Sequence, residues 1–150
     1  MSKFTYREQQ IINSALKVIH NKLSQSNCLA LPVEIQKYLR IRLACDKDEW
    51  LCVMFMNNQY RMISFERLIR GPVNASNVLL RVVARKALEL NAAGLVLCQN
   101  HLDGDVVPRV EDREITRKVK HALAIFEIQL IDHIFVSRRD SYSLAEYELL

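Results

Sequence analysis

The residues that could do chemistry gather in one stretch, 95–112, LVLCQNHLDGDVVPRVED. There an apolar run ends in Gln99, Asn100 and His101, passes through a loop with Gly104 and Pro108, and reaches Asp112. A strand with a polar end, a loop, and a carboxylate near the start of a helix is a common frame for a reaction centre on an α/β sheet. Residues two apart on an extended strand point the same way, so Gln99 and His101 share a face and Asn100 takes the other. Cys98 also falls on the opposite face, an exclusion that weakens if the strand ends in a bulge. Glu66 stands among Phe65, Leu68 and Ile69 in a half-apolar strand. It either faces solvent or, if buried, is placed to act as a base.

Other candidates carry less. His20 and His121 lie in helical patterns at the surface or the core edge, and His133, after Asp132 in IDHIFV, reads as structural. The basic residues Arg113, Arg117, Lys118 and Lys120 could touch phosphates, but no aromatic residue is interleaved with them as a stacking platform.

The elements that must position these groups follow from periodicity. Residues 6–24 repeat apolar side chains at three- and four-residue steps, which predicts an amphipathic helix. Residues 24–32 carry turn formers and end at Pro32, suited to the first turn of a second helix over 33–43. WLCVMFM, residues 50–56, is a strand buried on both faces, and after the turn Asn57, Asn58, Gln59 a partner strand over 60–68 makes an antiparallel hairpin. Gly71 and Pro72 close it, and N-cap candidates at 74–77 precede a helix over 78–90 with Val78, Val82, Ala84 and Leu88 apolar. A strand over 95–98, the polar loop, and a helix over 111–127 with Ile115, Val119, Ala122, Leu123 and Phe126 inward come next. Strands over 129–136 and near 142–145 finish an α/β sandwich with a mixed sheet.

At 150 residues, half apolar and a quarter charged, the chain is expected to be one ordinary globular domain, with residues 1–45 a helical segment and 46–150 the core. No apolar run is long enough for a bilayer, and MSKFTYREQQ has no secretory pattern, so no membrane association and a cytoplasmic location are expected. Four scattered cysteines without a CxxC pair read as reduced thiols. A net charge of +4 permits nucleic-acid contact without indicating it.

Taken together, MNNQYRMISFERLIRGPVN, RVVARKALELNAAGLVLCQNHLDGD, PRVEDREITRKVKHALAIFEIQLIDHIFVS and SYSLAEYELL resemble the RadC-like branch of the JAMM/MPN metalloprotease-like domains, from about residue 50 to the end. The resemblance implies the JAB/MPN, cytidine deaminase-like sandwich, here with two additional N-terminal helices. It implies a zinc held by two histidines and an aspartate, at positions occupied here by Gln99, His101 and Asp112, with a glutamate base matching Glu66. The usual serine is Arg109, the usual proline and serine are Leu102 and Asp103, and a usual His-Pro is Leu79 and Leu80. Asp105 completes the set of pocket residues.

A catalytic zinc uses three protein ligands and an open position for water, and an amide oxygen is a poor substitute for an imidazole nitrogen. Zinc is therefore expected to be weakly held or absent. The Arg109 guanidinium is expected to reach Asp112 or Glu66 and stand where the metal would. The resulting expectation is an impaired member serving binding or regulation of a protein or peptide. The alternatives are a zinc-dependent peptidase or isopeptidase, and a protein associated with DNA repair or mobile elements, to which this branch has been linked. The sequence leaves the oligomeric state open.

Overall fold

Residues 3–43, 46–72 and 77–150 are described by the structure, a computed structural model. Trp50–Met56 (β1) carries bulky apolar side chains throughout, and Leu51 to Met56 are all buried, because both sheet faces are covered. Its neighbours are Met62–Arg70 (β2) and Gly94–Asn100 (β3), both antiparallel to it. Gln129–Val136 (β4) runs parallel to β3, and Ser141–Ser143 (β5) pairs antiparallel with β4, giving the order β2-β1-β3-β4-β5. This is the expected mixed sheet.

The hairpin is antiparallel as expected, but its second strand is shifted along the chain from the expected 60–68. β2 starts two residues late because Tyr60 turns in the left-handed region at φ 58°, and the Asn57 side chain holds the loop by accepting from the Gln59 and Arg61 amides. β3, in turn, runs through Gln99 and Asn100, so the polar residues belong to the strand.

Tyr6–Gln25 (α1) opens with a capping box in which Thr5 and Glu8 exchange side-chain and backbone hydrogen bonds of 3.2 and 2.8 Å. Pro32–Leu43 (α2) begins on its proline. Both pack on one face of the sheet, where Leu23, Tyr38 and Leu39 meet Met54, Met56, Val96 and Ile134. Asn77–Glu89 (α3) and Val110–Ile125 (α4) cover the other, against Leu51, Val53, Phe55, Leu95 and Leu97. The expected caps at 74–76 lie outside the described residues. Among the described residues no helix is long and apolar enough to cross a membrane.

Two helix faces depart from expectation. α3 turns Leu79, Val83 and Ala87 inward and leaves Val78 and Leu88 exposed, and Phe126 ends outside after α4. α3 is apolar on more than one side, so periodicity alone does not choose its face, and the face taken buries Leu79, Val83 and Ala87 together. Cys52 and Cys98 lie opposite each other on β1 and β3, on the face under α1 and α2, both free and buried. Burial pushes the Cys52 thiol up to about 12 and Cys98 well above its usual value.

Leu97 is fully buried at the centre of β3. Leu97→Ala is expected to cost about 2–5 kcal/mol, read as a lower urea midpoint with an unchanged denaturant slope.

Candidate functional site

β3 places Gln99 on the face covered by α4 and Cys98 on the other, and His101, the residue just past the strand's end, follows the same alternation and faces Asp112 with Gln99. Asp112 is the third residue of α4, buried, and aimed back at the strand. One oxygen, Oδ2, accepts the Arg109 backbone N–H at 2.8 Å, and Oδ1 accepts from the Gln99 amide at 3.4 Å. Arg109 is the N-cap, but its side chain has no acceptor to return the bond, so only half of a capping box is made. His101 Nε2 lies 3.8 Å from Asp112 Oδ2.

The orientation of His101 is fixed from behind. Its Nδ1 lies 2.7 Å from the Asp105 carbonyl, which can only accept, so Nδ1 carries a proton and Nε2 is the nitrogen left to face Asp112. That Nε2 and the Gln99 Oε1 are both buried and, among the described residues, without a hydrogen-bond partner. An imidazole oriented by a carbonyl, with its free nitrogen beside a carboxylate, is the arrangement of a metal-ligating histidine. Those two donors suit zinc. The third position holds a neutral amide that already donates to the carboxylate, so the donor set is one imidazole short of a catalytic zinc centre.

Arg109 corrects the expectation placed on it. Its guanidinium lies 3.5 Å from Asp103 in the exposed loop and reaches neither Asp112 nor Glu66; only its backbone amide enters the site. The reason is local, since an extended N-cap backbone (φ −77°, ψ 165°) turns the N–H toward the third helical residue.

Glu66 is not drawn into the cluster. It faces the same side of the sheet but pairs with Val53, which pairs with Leu97, so two strand spacings, about 10 Å, separate it from β3. Its carboxylate is one-third exposed, accepts the Ser64 hydroxyl at 2.9 Å, and lies 3.7 Å from the Lys86 ammonium. Lys86 was missed in the sequence; it sits one position from inward-facing Ala87 on α3, and no local spacing links it to residue 66.

A second unread feature lies beneath Asp112. The Thr116 hydroxyl donates to the Asp112 carbonyl at 2.8 Å, so its 2.6 Å contact with His133 Nδ1 must be a bond donated by the imidazole. His133 is fully buried, stacks on Phe135 at 4.3 Å, and is held neutral by burial, down to about 3. The structural role expected for it is what the geometry gives: it ties β4 to the first turns of α4. Asp132 beside it is raised by burial, against hydrogen bonds from the Ser143 hydroxyl and the Ala145 and His133 amides.

Comparison with known proteins places this geometry in context. A family model described as RadC-like JAB domain matches residues 29–149. A UPF0758 protein of Vibrio cholerae is 35% identical over 139 residues, covering 93% of this chain and 87% of that one. Two further UPF0758 proteins are similar, from Pseudomonas savastanoi at 32% (95% of this chain) and Methylibium petroleiphilum at 34% (93%). The chain matches only 63% of the length of each of these two.

Two tests follow for His133. Thr116→Val removes its acceptor and is expected to cost about 1–3 kcal/mol in urea unfolding. The folded value of about 3 lies below the ordinary 6.5 of the unfolded chain, so the unfolded state binds the proton first as pH falls. This contribution to stability is complete above about pH 6.5 and is lost progressively toward pH 3. His133→Leu is expected to be less stable at pH 7 yet flatter in urea midpoint between pH 7 and 4 than the unaltered chain; an equal slope would remove the attribution to His133.

Proposed function

The chain belongs to the RadC-like JAB domain family, and from that premise we propose that it is a member with an impaired zinc site, whose pocket serves binding or regulation in place of hydrolysis. The observation that carries this reading is the hydrogen bond from the Gln99 amide to Asp112, the side chain at one ligand position satisfying the carboxylate at another. A metal would have to break that bond and would gain an amide oxygen where the family's pattern supplies an imidazole. The Lys86 ammonium beside Glu66 adds support, because a base already serving as an ion-pair partner is less available to take a proton from water.

A zinc-dependent hydrolase is the second reading. It is favoured by the His101 Nε2 facing Asp112, a pair that a cation would satisfy. In it His101 and Asp112 would hold the ion, which would supply an activated water, and Glu66 would have to leave Lys86 to serve as base.

The two readings separate on metal content. Purified without chelators, the unaltered chain is expected to contain well under one zinc by atomic emission. Gln99→His is expected to raise zinc affinity by more than about 100-fold, beyond what the outer partners of a ligand contribute. Because Arg109 meets Asp112 only through its backbone, adding Arg109→Ser is expected to leave the zinc content of Gln99→His unchanged. One zinc per unaltered chain, with peptide-bond cleavage lost in both Asp112→Ala and Glu66→Gln, would overturn the proposal.

A further inference from the structure

Past the carboxyl ends of the parallel strands β3 and β4 lies a groove of about 700 Å³, in the position where open α/β sheets commonly take ligands. Its walls come from separate parts of the chain: the segment before α1, the connection from α2 to β1, the β3–α4 loop and the β4–β5 turn. Each of three of them supplies cations, Lys3, Lys47, and the pair Arg138 and Arg139, all exposed. None of the four is in an ion pair among the described residues. The two carboxylates lining the groove are already engaged, Asp46 by Arg67 at 3.0 Å and Asp103 by Arg109 at 3.5 Å. Four uncommitted positive charges therefore converge on one concave surface.

The turn that presents two of them is fixed. The Ser137 hydroxyl oxygen accepts from the Arg139 and Asp140 amides at 3.3 and 3.1 Å, Ser137 N–H donates to the Asp140 carbonyl at 2.9 Å, and Arg40 donates to the Arg139 carbonyl at 2.9 Å. A turn ordered before binding spares that cost on association. The exposed side chain of Leu102 adds apolar surface to the lining, and among the described lining residues there is no aromatic side chain for a nucleobase to stack on. The lining also includes His101, so the groove runs to the edge of the Gln99–Asp112 cluster.

We propose that this groove binds an acidic, extended peptide segment of a partner protein, its carboxylates on Lys47, Arg138 and Arg139 and an apolar side chain against Leu102. The proposal rests on the reading of the site as a binding site and names the chemistry of its partner. Charge complementarity selects an anionic ligand, and the apolar surface without a stacking platform selects peptide over single-stranded nucleic acid.

The test is fluorescence anisotropy with the full chain and three labelled probes: a nonapeptide of aspartate, glutamate and leucine, its asparagine, glutamine and leucine counterpart, and a nine-nucleotide oligo(dT). The acidic peptide is expected to bind at least tenfold tighter than either other probe and to weaken with added salt. Combined Lys47→Glu and Arg138→Glu should weaken it at least tenfold with an unchanged urea midpoint. Arg113→Glu with Arg117→Glu, on the outer face of α4, should leave it within twofold. Absence of binding, equal binding of the two peptides, indifference to the groove variant, or tighter binding of oligo(dT) would each overturn the proposal. A zinc-loaded, peptide-cleaving unaltered chain would overturn the functional reading while leaving the anisotropy result standing, so the two failures are distinguishable.

Discussion

The carboxylate of Asp112 is buried between a strand and the helix that carries it, and a charge in that position is tolerable only if it is hydrogen-bonded. Two groups meet the need from opposite directions, the Arg109 amide at the head of α4 and the Gln99 amide at the end of β3. The positive end of the α4 dipole lies at the same place and favours the anion further. Strand and helix are thus joined through one side chain. Thr116 joins the same helix to the neighbouring strand β4, through the His133 ring.

Much of the fold is legible in the sequence because its strongest signals are local. β1 announces itself as an apolar run of strand length, and Pro32 marks the start of α2. Where local signals are silent the expectations slip. The left-handed Tyr60 delays β2 by two residues although tyrosine is no usual marker of such a turn, and α3 offers more than one apolar stripe to choose between. The candidate site divides in the same way. Strand alternation places Gln99 and His101 on one face without a structure, and separates Cys98 from them. Spacing of three residues between Arg109 and Asp112 suggests a guanidinium contact that is not made: the backbone amide meets Asp112 and the guanidinium goes to Asp103. The ion pair of Lys86 with Glu66 joins a helix to a strand 20 residues earlier in the chain and depends on which way α3 faces.

Charge is sorted between the two ends of this site. Toward β2, Glu66 is matched by Lys86 from the covering helix. Toward the β3–α4 loop, Arg109 and Asp103 hold each other at the surface. The interior between them keeps a neutral amide, an imidazole and one carboxylate, with two atoms, Gln99 Oε1 and His101 Nε2, left unpartnered among the described residues. A buried acceptor without a donor costs free energy, so the polar groups of this cluster are not fully satisfied by one another among the described residues.

The opposed thiols of Cys52 and Cys98 have a consequence on the far side of the sheet. They sit under α1 and α2 at the seam between β1 and β3, fully covered and with their protons firmly held. A thiol reagent can reach them only when the helical layer lifts or the two strands part. Their labelling rate is therefore a built-in clock for the opening of this half of the molecule.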